Sequence, residues 1–425
     1  MLRCSVSSEF QEVVLTARVA FSKRSWPFVL AAGVPWLMCA GQRSVTRLAS
    51  LGGLRRSRSA YYRFLSDGKW RLELLFHSLF LLIVRTFAIH ELTLVLDDTL
   101  CPKWGRSIWG TGSYFDHVRR PRPGFIWGHN WVVLSVVVSA GGRAALALPF
   151  WIVLYRPRDR CPRQEFRTRH QLAAEGLGCV RLWFSGSIRL LADGAYANDS
   201  LVTPAAALGI ELVSRIRSDA RLRAPRPSRR ARHRRGRKPT HGAWLPALKH
   251  LGNTRSAFRA HRVNIYGRDV RLLVRECEAW WPALRRVVRV VITRDPRRPA
   301  RRAYLMTTDL RLTACEVIEA FAQRWTIEQM FSVAKTHMGL DTAEVRKERA
   351  VVRHAALCIA LITWTEVWAQ RVRKDVRGRS FANKLAALRS STLAETIFSS
   401  GPRTRRSRRI ASGLASIFTT ATAAA

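Results

Sequence analysis

The sequence predicts an α/β protein with a helical N-terminal region, a strand-and-helix core interrupted by a β-rich insertion, and a helical C-terminal region. Three observations carry this. Apolar residues recur at helical spacing over residues 1–88. The short β-favouring runs "LTLVL" (92–96) and "IRLLA" (188–192) each end in an acid. Residues 250–310 alternate in strand fashion before the pattern returns to helix.

A chain of 425 residues suits two or three domains, and 48% apolar residues exclude a disordered chain. Lys and Arg number 73 against 29 Asp and Glu, a formal charge of +44. Nucleic acid is the favoured partner, because each phosphate neutralised releases a counterion. An anionic membrane surface is the alternative. Most of the cations are Arg, whose planar fork suits phosphate. The eight cysteines form no CxxC pair, which argues against zinc and for free thiols in a reducing cytosol. The N-terminal stretch has acids and no long apolar run, so it makes a poor signal peptide. Arg85, His90 and Glu91 interrupt one greasy stretch, and Gly141, Gly142 and Arg143 another, so neither reads as a membrane span.

In order, residues 1–88 form a small basic helical domain suited to DNA contact, with an Arg-rich packing domain as the plainer reading. The first strand ends at Asp97 and Asp98, and a Gly- and Trp-rich loop follows. Residues 131–155 read as a hairpin around Gly141 and Gly142, and residues 163–178 as a helix stopped by Gly178. A further strand ends at Asp193. Residues 215–238 hold twelve Arg and Lys against one acid, a basic arm ordered on its partner; Arg234, Arg235, Arg237 and Lys238 lie at its dense end. The β-rich insertion closes near Tyr304. One helix covers 321–341, and a mostly apolar helix follows at 350–372. The resulting plan is 1–88 DNA-binding, 89–212 first part of the core, 213–310 arm and insertion, 311–372 second part of the core, and 373–425 a basic region with a partly disordered tail. Trp104, Trp109, Trp127 and Trp131 read first as packing residues and second as stacking partners for DNA.

Asp97, Asp193 and Glu328 carry the candidate chemistry. Three carboxylates brought together repel unless cations neutralise them, and hard divalent ions with oxygen ligands do this. Two such ions about 4 Å apart clamp the attacking and leaving oxygens of a phosphodiester. Arg324, Glu328 and Lys335 fall within roughly 40° around a helix, beside the apolar stripe of Ile327, Met330, Phe331 and Ala334. Arg324 and Lys335 would hold phosphates there; a plain i,i+4 ion pair is the blander reading.

Together these motifs resemble the DDE transposases of bacterial insertion sequences, in the branch with a β-strand insertion between the second Asp and the Glu. Its pattern Tyr-x2-Arg-x3-Glu-x6-Lys is met by Phe321, Arg324, Glu328 and Lys335, with Phe removing a hydroxyl contact to phosphate. "LVLDDT" resembles the first-Asp motif, Asp-x-Thr, which favours Asp97 over the alternate Asp98. "LLADGAYAN" resembles the second-Asp motif, and "SAYYRFLSD", with Arg63, the DNA-binding helical region. Some relatives stack a Trp on a flipped base near the strand "YLMTTD"; the closest aromatic here is Tyr304. The likeness runs from about 55 to 360. It implies an RNase H-like mixed sheet with flanking helices, holding two Mg²⁺, with Mn²⁺ as substitute. It also implies double-stranded DNA as substrate (terminal inverted repeats and target), a homodimer in the synaptic complex and a cytoplasmic, nucleoid-associated location. The expected activity is hydrolysis at the element ends followed by 3′-hydroxyl strand transfer; the alternative is an inactive, transposase-derived DNA-binding protein.

Overall fold

The computed structural model describes residues 7–39, 46, 58–116, 124–139, 145–226, 240–254, 257–343, 345–373 and 375–399. In chain order the first elements are helices α1 (Ser8–Leu15), α2 (Trp26–Met38), α3 (Arg58–Ser66) and α4 (Leu72–Thr86). Strands β1 (Leu92–Pro102), β2 (Gly112–Asp116), β3 (Gly124–Ser139) and β4 (Ala145–Tyr155) follow. Next come α5 (Arg169–Trp183), β5 (Ile188–Ala192), α6 (Asp199–Ala207) and β6 (Ile210–Arg215). The insertion supplies β7 (Arg259–Ile265), β8 (Arg268–Trp281), β9 (Arg286–Asp295) and β10 (Arg298–Thr307). The chain then forms α7 (Ala314–Gln323), α8 (Thr326–Met338), α9 (Glu348–Arg371) and α10 (Phe381–Ser399). This is a mixed α/β protein with a large mixed sheet, flanking helices and a helical C-terminal region. It divides into two compact units, His90–Asp97 with Arg167–Glu328, and Met1–Ile89 with Asp98–Phe166 and Gln329–Ala425.

The unit His90–Asp97 with Arg167–Glu328 is built on strands in the order β1-β5-β6-β10-β9-β8-β7. β1, β5 and β6 are parallel, in register from Leu92↔Ile188 to Leu96↔Ala192 and from Ile188↔Ile210 to Ala192↔Ser214. Leu94–Val95–Leu96 and Leu190–Leu191–Ala192 are buried at consecutive positions, as parallel strands covered on both faces require. β10 runs antiparallel to β6, and β9, β8 and β7 continue as an antiparallel meander. The root of the basic arm is stitched to this meander. Ala224 N–H donates to Ala243 O at 2.8 Å, and Arg223 exchanges both backbone bonds with Trp280 at 2.9 and 2.8 Å.

Two expectations shift here. β1 does not end at its acids but runs on to Pro102; what ends after Leu96 is its pairing with β5. α5 starts later than 163 and passes through Gly178 to Trp183. Thr168 and Gln171 form a reciprocal capping box that sets the start, and buried Leu177 and Val180 hold the helix across the glycine.

In the other unit, β3 and β4 form the long hairpin, paired from Asn130↔Tyr155 to Ser139↔Ala145; its turn at 140–144 lies outside the described residues. α9 packs on β4, α4, α3, α1 and α10. Among the described residues it is the one helix long and apolar enough to cross a bilayer, and 89% of its apolar window is buried inside the protein. Polar groups on α9 are matched: Thr363 Oγ1 donates to Pro149 O at 2.6 Å, and Glu366 pairs with Lys384 of α10 at 2.6 Å. The aromatic core under α3 stacks Phe64 on Trp70 at 5.0 Å, and Arg353 of α9 lies over the same indole at 4.9 Å.

Candidate active site

The sheet register sets two of the acids. Leu96↔Ala192 is the last pair between β1 and β5, and Asp97 and Asp193 are the residues that follow it on each chain segment. Asp193 is also the cap of a short turn, Gly194–Tyr196, that takes the chain away from the sheet. A Cβ on Gly194 would sit 3.2 Å from Arg215 O, so a small residue here lets the end of β5 approach β6. Arg215 itself is the residue after Ser214, the last to pair with β5. Asp98, the residue after Asp97, projects to the opposite face by strand alternation. Its carboxylate accepts from Asn130 Nδ2 at 2.9 Å.

The third acid comes from the helical segment, which differs from expectation. Residues 321–341 are not one helix; α7 ends at Gln323 and α8 begins at Thr326. Across the break the backbone bonds tighten to i→i−3, from Arg324 to Phe321 (3.1 Å) and from Glu328 to Trp325 (3.1 Å). Thr326 Oγ1 donates back to Gln323 O at 2.8 Å, a side-chain bond that competes with the helical ladder. The apolar stripe nevertheless holds: Ile327, Met330, Phe331 and Ala334 are all buried.

Arg324 sits in the tightened turn and ties two acids together. Its Nη1 lies 3.0 Å from Asp97 Oδ2 and its Nη2 2.5 Å from Glu328 Oε1. The side chain is 11% exposed, against 20% for Asp97 and 35% for Glu328. Its Nε is buried without a hydrogen-bond partner. The ring of Phe321 is flanked by two guanidinium groups, Arg324 at 5.7 Å and Arg215 at 5.6 Å. The i,i+4 ion pair of the blander reading is therefore present, and it extends to an acid 227 residues away in the chain.

The donor set is made of carboxylate oxygens, the chemistry a hard divalent cation takes. Asp97 and Glu328 already share one positive group, so they meet the electrostatic requirement for a shared cation. Among the described residues no three His, Cys, Asp or Glu side chains converge to metal-binding distance.

The remaining candidates are distributed more widely. Lys335 lies seven residues beyond Glu328 on α8, about 10 Å along the axis. Tyr304 sits on β10 opposite Ile292, its hydroxyl beside Gly252 rather than beside the acids. Arg63 is exposed on α3. Arg234, Arg235, Arg237 and Lys238 fall outside the described residues. His354 is a buried packing histidine against Trp36 at 5.0 Å, and burial pushes its imidazole down to about 3. Trp131 is buried, but Trp104 is 97% exposed, against its packing assignment.

Sequence reasoning missed Arg215 and Asn130. Arg215 could have been found by counting β6 into register with the Asp193 strand; Asn130 carries no local signal, because its partner is 32 residues away.

The family described as DDE superfamily endonuclease matches residues 20–268, more than half of the 425-residue chain. The matched region contains Asp97 and Asp193 and ends before Glu328. No curated protein matches the chain.

Proposed function

The chain belongs to the DDE superfamily of endonucleases, typically metal-dependent nucleases, and from that premise we propose that it is a transposase of a bacterial insertion sequence. The observation that carries the reading is the single guanidinium bridging Asp97 and Glu328, with Asp193 following Ala192, the residue paired with Leu96 just before Asp97. Acids this costly to assemble in a chain with only 29 of them need a cationic purpose.

In this reading the core is RNase H-like, residues 1–88 recognise the element ends, and the β-rich segment interrupts the core. Asp97, Asp193 and Glu328 hold two Mg²⁺ or Mn²⁺. When bound, such ions lower the pKa of water and stabilise the leaving oxygen. Arg324, released from its acids, takes a phosphate oxygen of the strand being cut, and Arg215 across the Phe321 ring takes a neighbouring one. Lys335, by its place in the helix motif, is a further candidate for a phosphate contact. Hydrolysis at the element end frees a 3′-hydroxyl, which then attacks target DNA. Two copies pairing two ends, in the cytoplasm on the nucleoid, complete the reading.

A second reading is a binding-only relic in which Arg324 neutralises the acids permanently; the bridge itself favours it. Strand cleavage of DNA carrying the element's own ends, with Mg²⁺ or Mn²⁺, separates the two. Cleavage by the wild type and none by Glu328→Gln supports the transposase. Tight binding without cleavage by either supports the relic, and equal cleavage by both removes Glu328 from the site.

A further inference from the structure

A second site lies in the unit that contains α3 and α9. It is a cleft of about 950 Å³. Its floor is apolar and buried, with Ile108, Ala343 and Val345. Its rim is cationic, with exposed Arg63, Arg346 and Lys347. Trp104, 97% exposed, also lines the cleft.

An indole this exposed is ordinarily tucked away or mobile. Here its loop is pinned at both ends to the wall of the cleft. Lys103 Nζ donates to the carbonyls of Asp341 at 2.7 Å and Ala343 at 3.0 Å. Trp109 N–H donates to Arg346 O at 3.0 Å. The loop is thus held before any ligand arrives, which lowers the entropic cost of binding to it. Two acids also line the cleft, Asp67 and Asp341, and Asp341 Oδ1 is buried without a hydrogen-bond partner.

We propose that this cleft seats unpaired nucleotides of DNA, one base stacking on Trp104. The chemistry selects that ligand. In a duplex the base faces are covered by neighbouring pairs, so an indole finds a free face only on an unpaired base. Arg63, Arg346 and Lys347 match the phosphates on either side. The carboxylates repel phosphate but accept from amino groups on base edges, as carboxylates do with cytosine N4. The inference rests on the proposed function only in taking DNA as the ligand.

The test is binding of a short single strand and of a duplex of equal length to the full chain without divalent metal. Wild type is compared with Trp104→Ala and Trp104→Phe. Loss of one stacking contact weakens the single strand roughly tenfold in Trp104→Ala, with most of the affinity returning in Trp104→Phe. Duplex affinity stays within about twofold of wild type, since the phosphate contacts that dominate it remain; this also shows that the variant is folded. A 2-aminopurine in the strand is quenched by wild type and not by Trp104→Ala. Arg346→Ala with Lys347→Ala flattens the salt dependence of single-strand binding. Unchanged single-strand affinity in Trp104→Ala, or an equal loss for the duplex, overturns the proposal. Binding of neither nucleic acid by wild type overturns both this and the proposed function. Failure to cleave, with the Trp104 difference intact, removes only the active-site reading.

Discussion

Replacing Arg324 with Met should tighten metal binding while weakening cleavage. In the metal-free protein the guanidinium is counterion to both Asp97 and Glu328, through contacts of 3.0 and 2.5 Å. A divalent ion that takes those carboxylates must first break both. A charge-assisted hydrogen bond contributes about 1.5–3 kcal/mol net when buried. Exposures of 20% for Asp97 and 35% for Glu328 place these two lower. About 1 kcal/mol each, or about 2 kcal/mol together, is the appropriate size. That corresponds to an Mn²⁺ dissociation constant about thirtyfold lower in Arg324→Met. Titration followed by the electron-spin resonance of free Mn²⁺ reads this without any DNA. Strand cleavage, read separately, falls because the phosphate loses its fork. Unchanged or weaker Mn²⁺ binding, in a variant that melts like wild type, would show that the bridge does not compete with metal.

Three further outcomes follow from the same geometry. Asp97→Asn abolishes nicking of element-end DNA, whereas Asp98→Asn, which faces Asn130, keeps it within about tenfold, one bond's worth of free energy; the reverse order makes Asp98 the ligand. Burial lowers His129 to about 4, the Trp109 carbonyl opposing and Lys103 adding, and lowers His354 to about 3, with Lys103 and His129 adding. Both folded values lie below the unfolded value of 6.5, so stability is intact above pH 6.5 and falls as pH drops towards 4. The loss by pH 5 is on the order of 2 kcal/mol per histidine, seen in urea midpoints and absent if both are replaced by apolar residues. Lys384→Met leaves Glu366 buried without its partner and costs about 3–5 kcal/mol, most of it recovered by adding Glu366→Leu; additive losses in the double variant would refute the coupling.

The strands bearing Asp97 and Asp193 were legible because short apolar runs between turn residues permit little else, and the long hairpin because its runs flank paired glycines. The continuation of β1 through Asp97–Pro102 was not, since Asp and Pro disfavour strands and tertiary pairing overrides that preference. The break before α8 was hidden for a related reason. A helical projection assumes an unbroken ladder, and the Thr326 hydroxyl bond to Gln323 changes the ladder without changing the apolar spacing. The bridge from Arg324 to Asp97 joins residues 227 apart, which no local pattern encodes.

The central place of α9 has a consequence for how the chain is made. α1, α3, α4 and β4 all pack on this helix, and Arg353 Nη1 donates to Leu65 O across 288 residues. At the usual rate of synthesis, α9 emerges roughly 15–60 s after α4. Through that interval the apolar faces of α4 and β4 await their cover, and long-range contacts of this kind form slowly. A message cut short before residue 348 therefore yields a polypeptide without its central helix, with the apolar faces of α4 and β4 left uncovered. The order of the chain makes synthesis past residue 371 a condition for covering those faces.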